Sequence, residues 1–298
     1  MSCLVPRDLQ FVDAVEDMYE SLLLMQRHPE TLELNLRNTS FAKPTSILAL
    51  VTTARFWKQW TGQPVIVSNI QPRVHAYLER MDLFTECDDC LVVADCLDET
   101  ERLDRSSNSH RLLEILPIPS NETANARAVT DALRRAKHIL ETWVDDENRI
   151  RSVLTVLSEI GQNIVHSEDQ GYAIIQRYKK SYSRDLERVS KIDIGIADLG
   201  IGIEESLSRR SPELRDKFRA GSDFILHALK QGTSGRPEVR GLGLFHVRDL
   251  VDKWQGSLTI RSFSSSIHIE KDHIEANDDL PEIPGVRVFI TVRGSAGF

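Results

Sequence analysis

Apolar residues in the first third of the chain follow two alternating periods. Spacings of three and four residues, typical of an amphipathic helix, alternate with the every-second-residue pattern of a strand, as in LELNL at 32–36. These patterns predict helices over residues 8–26, 44–61 and 71–82, and strands over 32–36 and 64–67. Helices that separate consecutive strands predict a small α/β unit whose neighbouring strands are parallel.

The rest of the chain begins with a polar, charged stretch at 97–110, which we interpret as a linker. The periodicity beyond it predicts helices near 122–143 and over 148–167, a helix in FHVRDLVDKW, and strands over 112–118, 190–199, 256–262 and 286–292. A chain of 298 residues is long enough for two domains. We therefore predict an α/β domain over residues 1–110 and a second α/β domain over 111–298.

Composition limits the partners of the chain. A net charge of −8 disfavours a broad grip on nucleic acid, and the basic cluster of Arg177, Lys179, Lys180 and Arg184 is interpreted as a solvated edge. No apolar run approaches the roughly 18 residues needed to span a bilayer, and the N-terminus lacks the pattern of a secretory signal. We expect a cytoplasmic protein with no membrane partner.

Four cysteines raise the question of a metal site. Cys87 and Cys90 form a CxxC, with Cys96 close behind, and His110 could complete a set of four zinc ligands. No second CxxC exists, so the usual second half of a structural zinc site is missing. Reduced thiols are the favoured interpretation.

Three segments of the second half carry polar or glycine residues at places suited to ligand chemistry. Glu159 and Asn163 are four residues apart and share one face of a predicted helix. Asp198 ends a predicted strand and is followed by glycines, and a glycine-rich stretch at 232–243 immediately precedes a helix, whose exposed N–H groups can bind an anion. Each alone is also explained as a solvated pair, a turn or a flexible loop.

In this order and spacing, the three segments resemble the GHKL superfamily, which includes DNA gyrase, MutL, the ninety-kilodalton heat-shock chaperone, histidine kinases and anti-sigma-factor kinases. SEIGQNIVHS is similar to the N box, ADLGIGI to the first glycine box and RGLGLFHV to the second. The strand pair at 256–262 and 286–292 fits the closing sheet of that fold. The resemblance covers roughly residues 120–298, is closest to the anti-sigma-factor and histidine-kinase type, and implies a GHKL (Bergerat) α/β sandwich that binds ATP with magnesium.

The resemblance also implies a role for each matching residue. Glu159 would be the catalytic general base, Asn163 would coordinate magnesium, and Asp198 would accept a hydrogen bond from the adenine amino group. The other contacts to ATP would come from Gly200 and Gly202 near the purine, Thr233 and Ser234 near the γ-phosphate on a mobile lid over about 204–240, and the N–H groups of Gly241, Leu242 and Gly243 at the phosphates.

Two positions depart from the family pattern. His166 stands where many members have a Lys or Arg; it either contacts phosphate when protonated or packs as a structural residue. Gly285 is followed by Val286, where the family often has a Thr that bonds near the adenine, so that bond is absent or replaced.

The N-terminal part resembles a STAS-like domain, the fold of anti-anti-sigma factors, over roughly residues 28–90. The resemblance depends on the strand at 32–36, the helix after FAKPTS and the YLERMDLF ending. Thr45 and Ser46 stand where such domains are phosphorylated, although a helix N-terminal cap is the better-supported role for them.

These resemblances favour a slow, magnesium-dependent ATPase that acts as a nucleotide-driven conformational switch. We therefore expect neither the helical dimerisation segment of a histidine kinase nor the transducer domain that follows the last strand in gyrase-type members. The alternatives are a serine/threonine protein kinase of the anti-sigma type and a non-catalytic, ATP-gated protein-binding module. A protein partner is expected at the STAS-like half, and a homodimer is left open.

Overall fold

The chain divides into two compact units, residues 1–107 and 108–298. The computed structural model describes residues 2–4, 8–9, 12–25, 31–94, 111–178, 191–230 and 243–293. Both units mix helices with strands, and each has its own main sheet. Within the described ranges, no helix combines the length and apolarity that crossing a bilayer requires.

The first unit is built on a four-stranded parallel sheet in the order β1-β3-β5-β6, beside a two-stranded parallel pair, β2-β4. Its elements are β1 (Ser2–Leu4), β2 (Asp8–Leu9), α1 (Val12–Met25), β3 (Glu33–Asn35), β4 (Phe41–Ala42), α2 (Pro44–Thr61), β5 (Val65–Ser68), α3 (Pro72–Arg80), α4 (Leu83–Glu86) and β6 (Leu91–Val93). Consecutive strands of the main sheet are separated by helices, so the predicted parallel α/β arrangement is confirmed.

Helix α2 has the predicted limits because both ends carry strong local signals. Pro44 occupies the first turn, and Gly62 ends the helix in the left-handed conformation with its N–H donating to Lys58. The prediction that Thr45 or Ser46 caps the helix is wrong. With Pro44 already inside the first turn, the N-cap position falls on Lys43, and no side chain caps it.

The CxxC is a buried pair of thiols at the end of α4. Cys87 and Cys90 are both free and fully buried, and Cys96 and His110 lie outside the described residues. A hydrogen bond between the two thiols, together with burial, raises the pKa of Cys87, whereas the same bond lowers the pKa of Cys90. The part of the chain that is described contains no group of three His, Cys, Asp or Glu side chains that could hold a metal.

The second unit contains a seven-stranded antiparallel sheet in the order β12-β11-β10-β13-β9-β8-β7. Its elements are β7 (Leu112–Ile118), α5 (Glu122–Glu141), α6 (Glu147–Asn163), a short 3₁₀ helix (Ile164–His166), β8 (Gly171–Tyr178), β9 (Lys191–Asp198), α7 (Gly202–Arg210), α8 (Leu214–Lys217), α9 (Gly221–Ala228), α10 (Gly243–Lys253), β10 (Ser257–Phe263), β11 (Ser265–Glu270), β12 (His273–Asn277) and β13 (Ile283–Arg293).

Helices and sheet of the second unit share one apolar core. Alternate residues of the central strands, such as Ile192, Ile194 and Ile196 of β9, lie in the same cluster as buried residues of α5, α6, α7, α9 and α10. Side chains two residues apart on a strand point to the same face, so the helices cover one face of the sheet. The unit is a two-layer α/β arrangement.

Two expectations for this unit need correction. The lid predicted over 204–240 is wrong for most of its length, because α7 and α9 lie in that range and bury Leu207, Phe224 and Ile225 in the core. Arg177 is not on a solvated edge: it lies half-buried in β8, where it donates to the Thr142 hydroxyl. Burial lowers the pKa of its guanidinium. The other three members of that basic cluster lie outside the described residues.

Candidate functional site

Helix α6 presents Glu159 and Asn163 on its accessible side. The Asp146 carboxylate caps the helix by accepting from the backbone N–H groups of Asn148 and Arg149 at 2.9 and 3.3 Å. An apolar stripe is buried against the core, comprising Ile150, Val153, Val156, Leu157 and Ile160. That stripe fixes the rotation of the helix, so Glu159 is left half-buried and Asn163, in its last turn, is exposed.

The Glu159 carboxylate contacts a histidine that the sequence patterns did not single out. Nδ1 of His246 lies 3.2 Å from Oε1 and 3.1 Å from Oε2 of Glu159. His246 belongs to α10, which packs against α6. The two side chains are 34% and 26% exposed, so this pair is reachable by water without being fully solvated. The one feature of the sequence that could have pointed to His246 is its position, three residues after Gly243, where the helix that follows the second glycine-rich segment begins.

Asp198 is a buried carboxylate at the end of β9. Its Oδ1 accepts from the N–H of Gly200 at 2.9 Å and from the N–H of Val286 at 3.3 Å. Burial raises the pKa of Asp198 to about 6, although those two hydrogen bonds and the nearby Arg287 guanidinium act in the opposite direction. Within the described residues both bonds use Oδ1, which leaves Oδ2 for a further donor. Val286 thus approaches the Asp198 side chain through its backbone, where the family pattern has a Thr side chain nearby.

Gly200 and Gly202 have structural reasons to be glycine. A Cβ on Gly200 would overlap the backbone carbonyl of Ser167. Gly202 has φ of +75°, and a Cβ there would lie 2.6 Å from the ring of Phe263. The resemblance implied that both glycines let the backbone approach a purine; in the structure the space beside each Cα is taken by Ser167 and by Phe263, respectively.

Of the three sequence segments that carry the GHKL resemblance, SEIGQNIVHS forms the end of α6 and its C-terminal extension, and the other two contact it. The N–H of Ile201, between the two glycines, donates to the carbonyl of Ser167 at 3.0 Å, and Ser167 is the last residue of SEIGQNIVHS. The helix of the second glycine-rich segment reaches the same region through the contact between His246 and Glu159. Residues far apart in the chain therefore gather around the C-terminal half of α6.

Only some of the remaining predicted site residues lie within the described part of the chain. His166 is exposed in the short 3₁₀ helix that extends α6. Gly243 is the first residue of α10. Thr233, Ser234, Gly241 and Leu242 lie outside the described residues. The described part of the site thus comprises a half-buried carboxylate, an exposed amide and a buried carboxylate, with His166 and Gly243 as the described candidates for phosphate contact.

No protein-family model matches this chain, and neither a curated protein nor a solved structure matches it. A function for the chain must therefore be supported from its own residues. The strongest support comes from the gathering of Glu159, Asn163, the Asp198 turn and the start of α10 around one helix.

Proposed function

We propose that this chain binds ATP with magnesium in its second unit and hydrolyses it slowly, acting as a nucleotide-driven conformational switch. The observation that carries the proposal is the arrangement on α6: a half-buried carboxylate, Glu159, held by a histidine and placed one turn before the exposed amide of Asn163. A general base needs access to water and a fixed direction, and Glu159 has both.

Asn163 fits a magnesium site completed by substrate. Magnesium binds oxygen ligands and usually keeps several waters, so it is commonly held by one or two protein oxygens together with phosphates. Asn163 offers an exposed amide oxygen at the end of α6. When bound there, magnesium would neutralise charge on the phosphates. Asn163 itself would bind and orient, because an amide neither gives nor takes a proton at ordinary pH.

Asp198 is suited to recognise adenine. Its buried carboxylate is held in place by two backbone N–H groups, and Oδ2 remains to accept from the exocyclic amino group of adenine. Guanine carries a carbonyl oxygen at the equivalent position, which the carboxylate would repel. Above a pH of about 6 Asp198 is ionised and accepts such a bond. Affinity for ATP should therefore fall as Asp198 becomes protonated.

Glu159 would act on the attacking water. As water attacks the γ-phosphorus, the bond between that phosphorus and the β–γ bridging oxygen breaks, and the Glu159 carboxylate takes a proton from the water. ADP leaves with the bridging oxygen, and inorganic phosphate is released. Glu159 is one turn from Asn163, so the base and the metal-binding amide face the same ligand.

The site on α6 favours hydrolysis over pure binding. The kinase alternative needs an acceptor hydroxyl that a phosphate can reach; of its two candidates in the first turn of α2, Ser46 is buried, with 1% of its surface exposed, whereas Thr45 is partly exposed. A purely binding module would have no use for an oriented carboxylate next to the metal-binding amide. The contact between Glu159 and His246 therefore favours turnover.

Purified protein incubated with γ-labelled ATP and magnesium tests the proposal. We expect label in free phosphate, and Glu159→Gln should lower its release by about 10²–10⁴-fold while leaving affinity within a few-fold. Glu147→Gln is the matched control, because Glu147 is exposed at the opposite end of the same helix, about 18 Å away. Label on the protein itself would support the kinase alternative, and binding without either product would support the binding module.

A further inference from the structure

We propose that His246 is a positioning residue for the ATPase reaction, donating its Nδ1–H to Glu159 and so fixing the direction of the general base. The inference rests on the proposed function, because it gives Glu159 a task in hydrolysis. The proposal adds a residue of α10 to the predicted site, whose other residues lie on α6, at the end of β9 and in the glycine-rich segment.

The geometry leaves little freedom for the Glu159 carboxylate. A glutamate side chain has three rotatable bonds, and a half-exposed one without a partner samples several rotamers. Here one ring nitrogen lies 3.1 to 3.2 Å from both carboxylate oxygens. The two helices that carry the pair pack against each other, so the donor is held by the core and not by a loop.

The contact restrains Glu159 without using up its capacity as a base. A carboxylate has about four lone-pair sites, and one shared N–H occupies only part of them. With a proton on Nδ1, His246 donates to the carboxylate. Glu159 keeps its remaining lone pairs for a water molecule, and 26% of its side chain stays accessible to that water.

The place of His246 in the chain joins two parts of the site. It lies three residues after Gly243, where α10 begins, and the predicted phosphate contacts of the second glycine-rich segment end at Gly243. A shift of the start of α10 would therefore move the donor that holds the base. Misplacing a reacting group by about 1 Å can cost about 10²-fold in rate, so this connection sets how well the base is aligned.

Three single variants test the role. In His246→Leu the ring is replaced by an apolar group of similar bulk, and kcat should fall by about 10–100-fold with the dissociation constant of magnesium-ATP within about 3-fold. His246→Asn places an amide N–H close to the position of Nδ1, so it should recover most of the lost turnover. His273→Leu is the matched control, because it removes an exposed histidine that contacts Glu275 at 2.9 Å on β12; we expect turnover equal to that of the wild type.

A double variant separates a role through Glu159 from a loss of structure. If His246 acts only by holding Glu159, then Glu159→Gln with His246→Leu should be no slower than Glu159→Gln alone, since the group being positioned is already gone. Losses that multiply would overturn the proposal, as would an unchanged or raised kcat in His246→Leu, or an Asn variant as slow as the Leu variant. A wild type that releases no phosphate would overturn the proposed function and this role with it. Normal turnover that depends on Glu159 but not on His246 would overturn this role alone.

Discussion

Replacing Asp198 by Asn should make the stability of the second unit less sensitive to pH while it weakens recognition of adenine. Burial raises the pKa of Asp198 from its ordinary value of 3.8 to about 6 in the folded chain. Between those two values the folded state holds more protons than the unfolded state, so the free energy of unfolding falls as pH rises. Asn carries no titrating proton, and its side-chain oxygen can still accept from the N–H groups of Gly200 and Val286.

The size of the effect follows from the difference between the two pKa values. A shift of roughly 2 units corresponds to about 3 kcal/mol between fully protonated and fully ionised Asp198. Relative to fully protonated Asp198, ionisation lowers the free energy of unfolding by about 1 kcal/mol at pH 4.5 and by about 3 kcal/mol at pH 8. The unfolding free energy of Asp198→Asn relative to the wild type should therefore rise by about 2 kcal/mol from pH 4.5 to pH 8. Contributions of the amide that do not depend on pH cancel in this difference.

Urea unfolding at the two pH values measures that difference. The chain has four tryptophans, and the reporters should be Trp143 and Trp254, whose rings lie 5.4 Å apart in the second unit. A background with Trp57→Phe and Trp60→Phe removes the signal of the first unit. The m-values of wild type and variant must agree for the free energies to be compared.

Asp193 provides the matched control for Asp198. It is a buried carboxylate five residues earlier in the same strand, but it pairs with Lys191 at 3.1 Å and accepts from the Thr291 hydroxyl at 2.8 Å. Removing its charge by Asp193→Asn should destabilise the chain at pH 8, because a paired partner is lost. If Asp198→Asn showed no gain between pH 4.5 and pH 8, or if Asp193→Asn showed the same gain, burial of the Asp198 charge would not be the cause.

Three further changes should have distinct effects. Asn163→Ala should weaken magnesium-ATP by at least about 10-fold in calorimetry; an unchanged affinity would reject its role as metal ligand. Gly200→Ala should destabilise the chain by about 3 kcal/mol in thermal unfolding, because the new Cβ would overlap the Ser167 carbonyl, and a wild-type melting temperature would contradict that packing. Asn125→Ala should cost about 1–3 kcal/mol by urea unfolding, since its buried amide donates to the Gly161 carbonyl at 3.1 Å; a neutral result would mean that water replaces the amide.

Local signals decided which elements the sequence could predict. Helix α2 was placed correctly because proline and glycine mark its ends. Helix α6 was found because its apolar residues have the helical period, although the predicted range of 148–167 runs past its end at Asn163 into the short 3₁₀ helix. Strand β8 was missed because it is buried along most of its length and has no alternation of polar and apolar residues. Its residue Arg177 was interpreted as part of a solvated basic cluster. The helices within the predicted lid were missed because the family pattern, and not their own apolar residues, set the expectation there.

The sequence predicted the candidate site only where polar residues suited to ligand chemistry stand at an interval that places them on one face of an element. Glu159 and Asn163 are visible as a pair because an interval of four residues puts them on one face of a helix. The contact of Glu159 with His246 spans 87 positions, and no local pattern encodes it. The same holds for the approach of Val286 to Asp198, which depends on how β13 pairs with β9. Long-range contacts of this kind are set by tertiary packing, so they appear only in the folded chain.

Calorimetric titration of the wild-type chain with magnesium-ATP and with magnesium-GTP tests the central claim most directly. We expect saturable binding of one ATP per chain that is lost in EDTA, with GTP at least about 10-fold weaker because the Asp198 carboxylate meets a carbonyl in place of an amino group. Absence of binding at millimolar magnesium-ATP, or equal affinity for the two nucleotides, would contradict the assignment of this site to ATP.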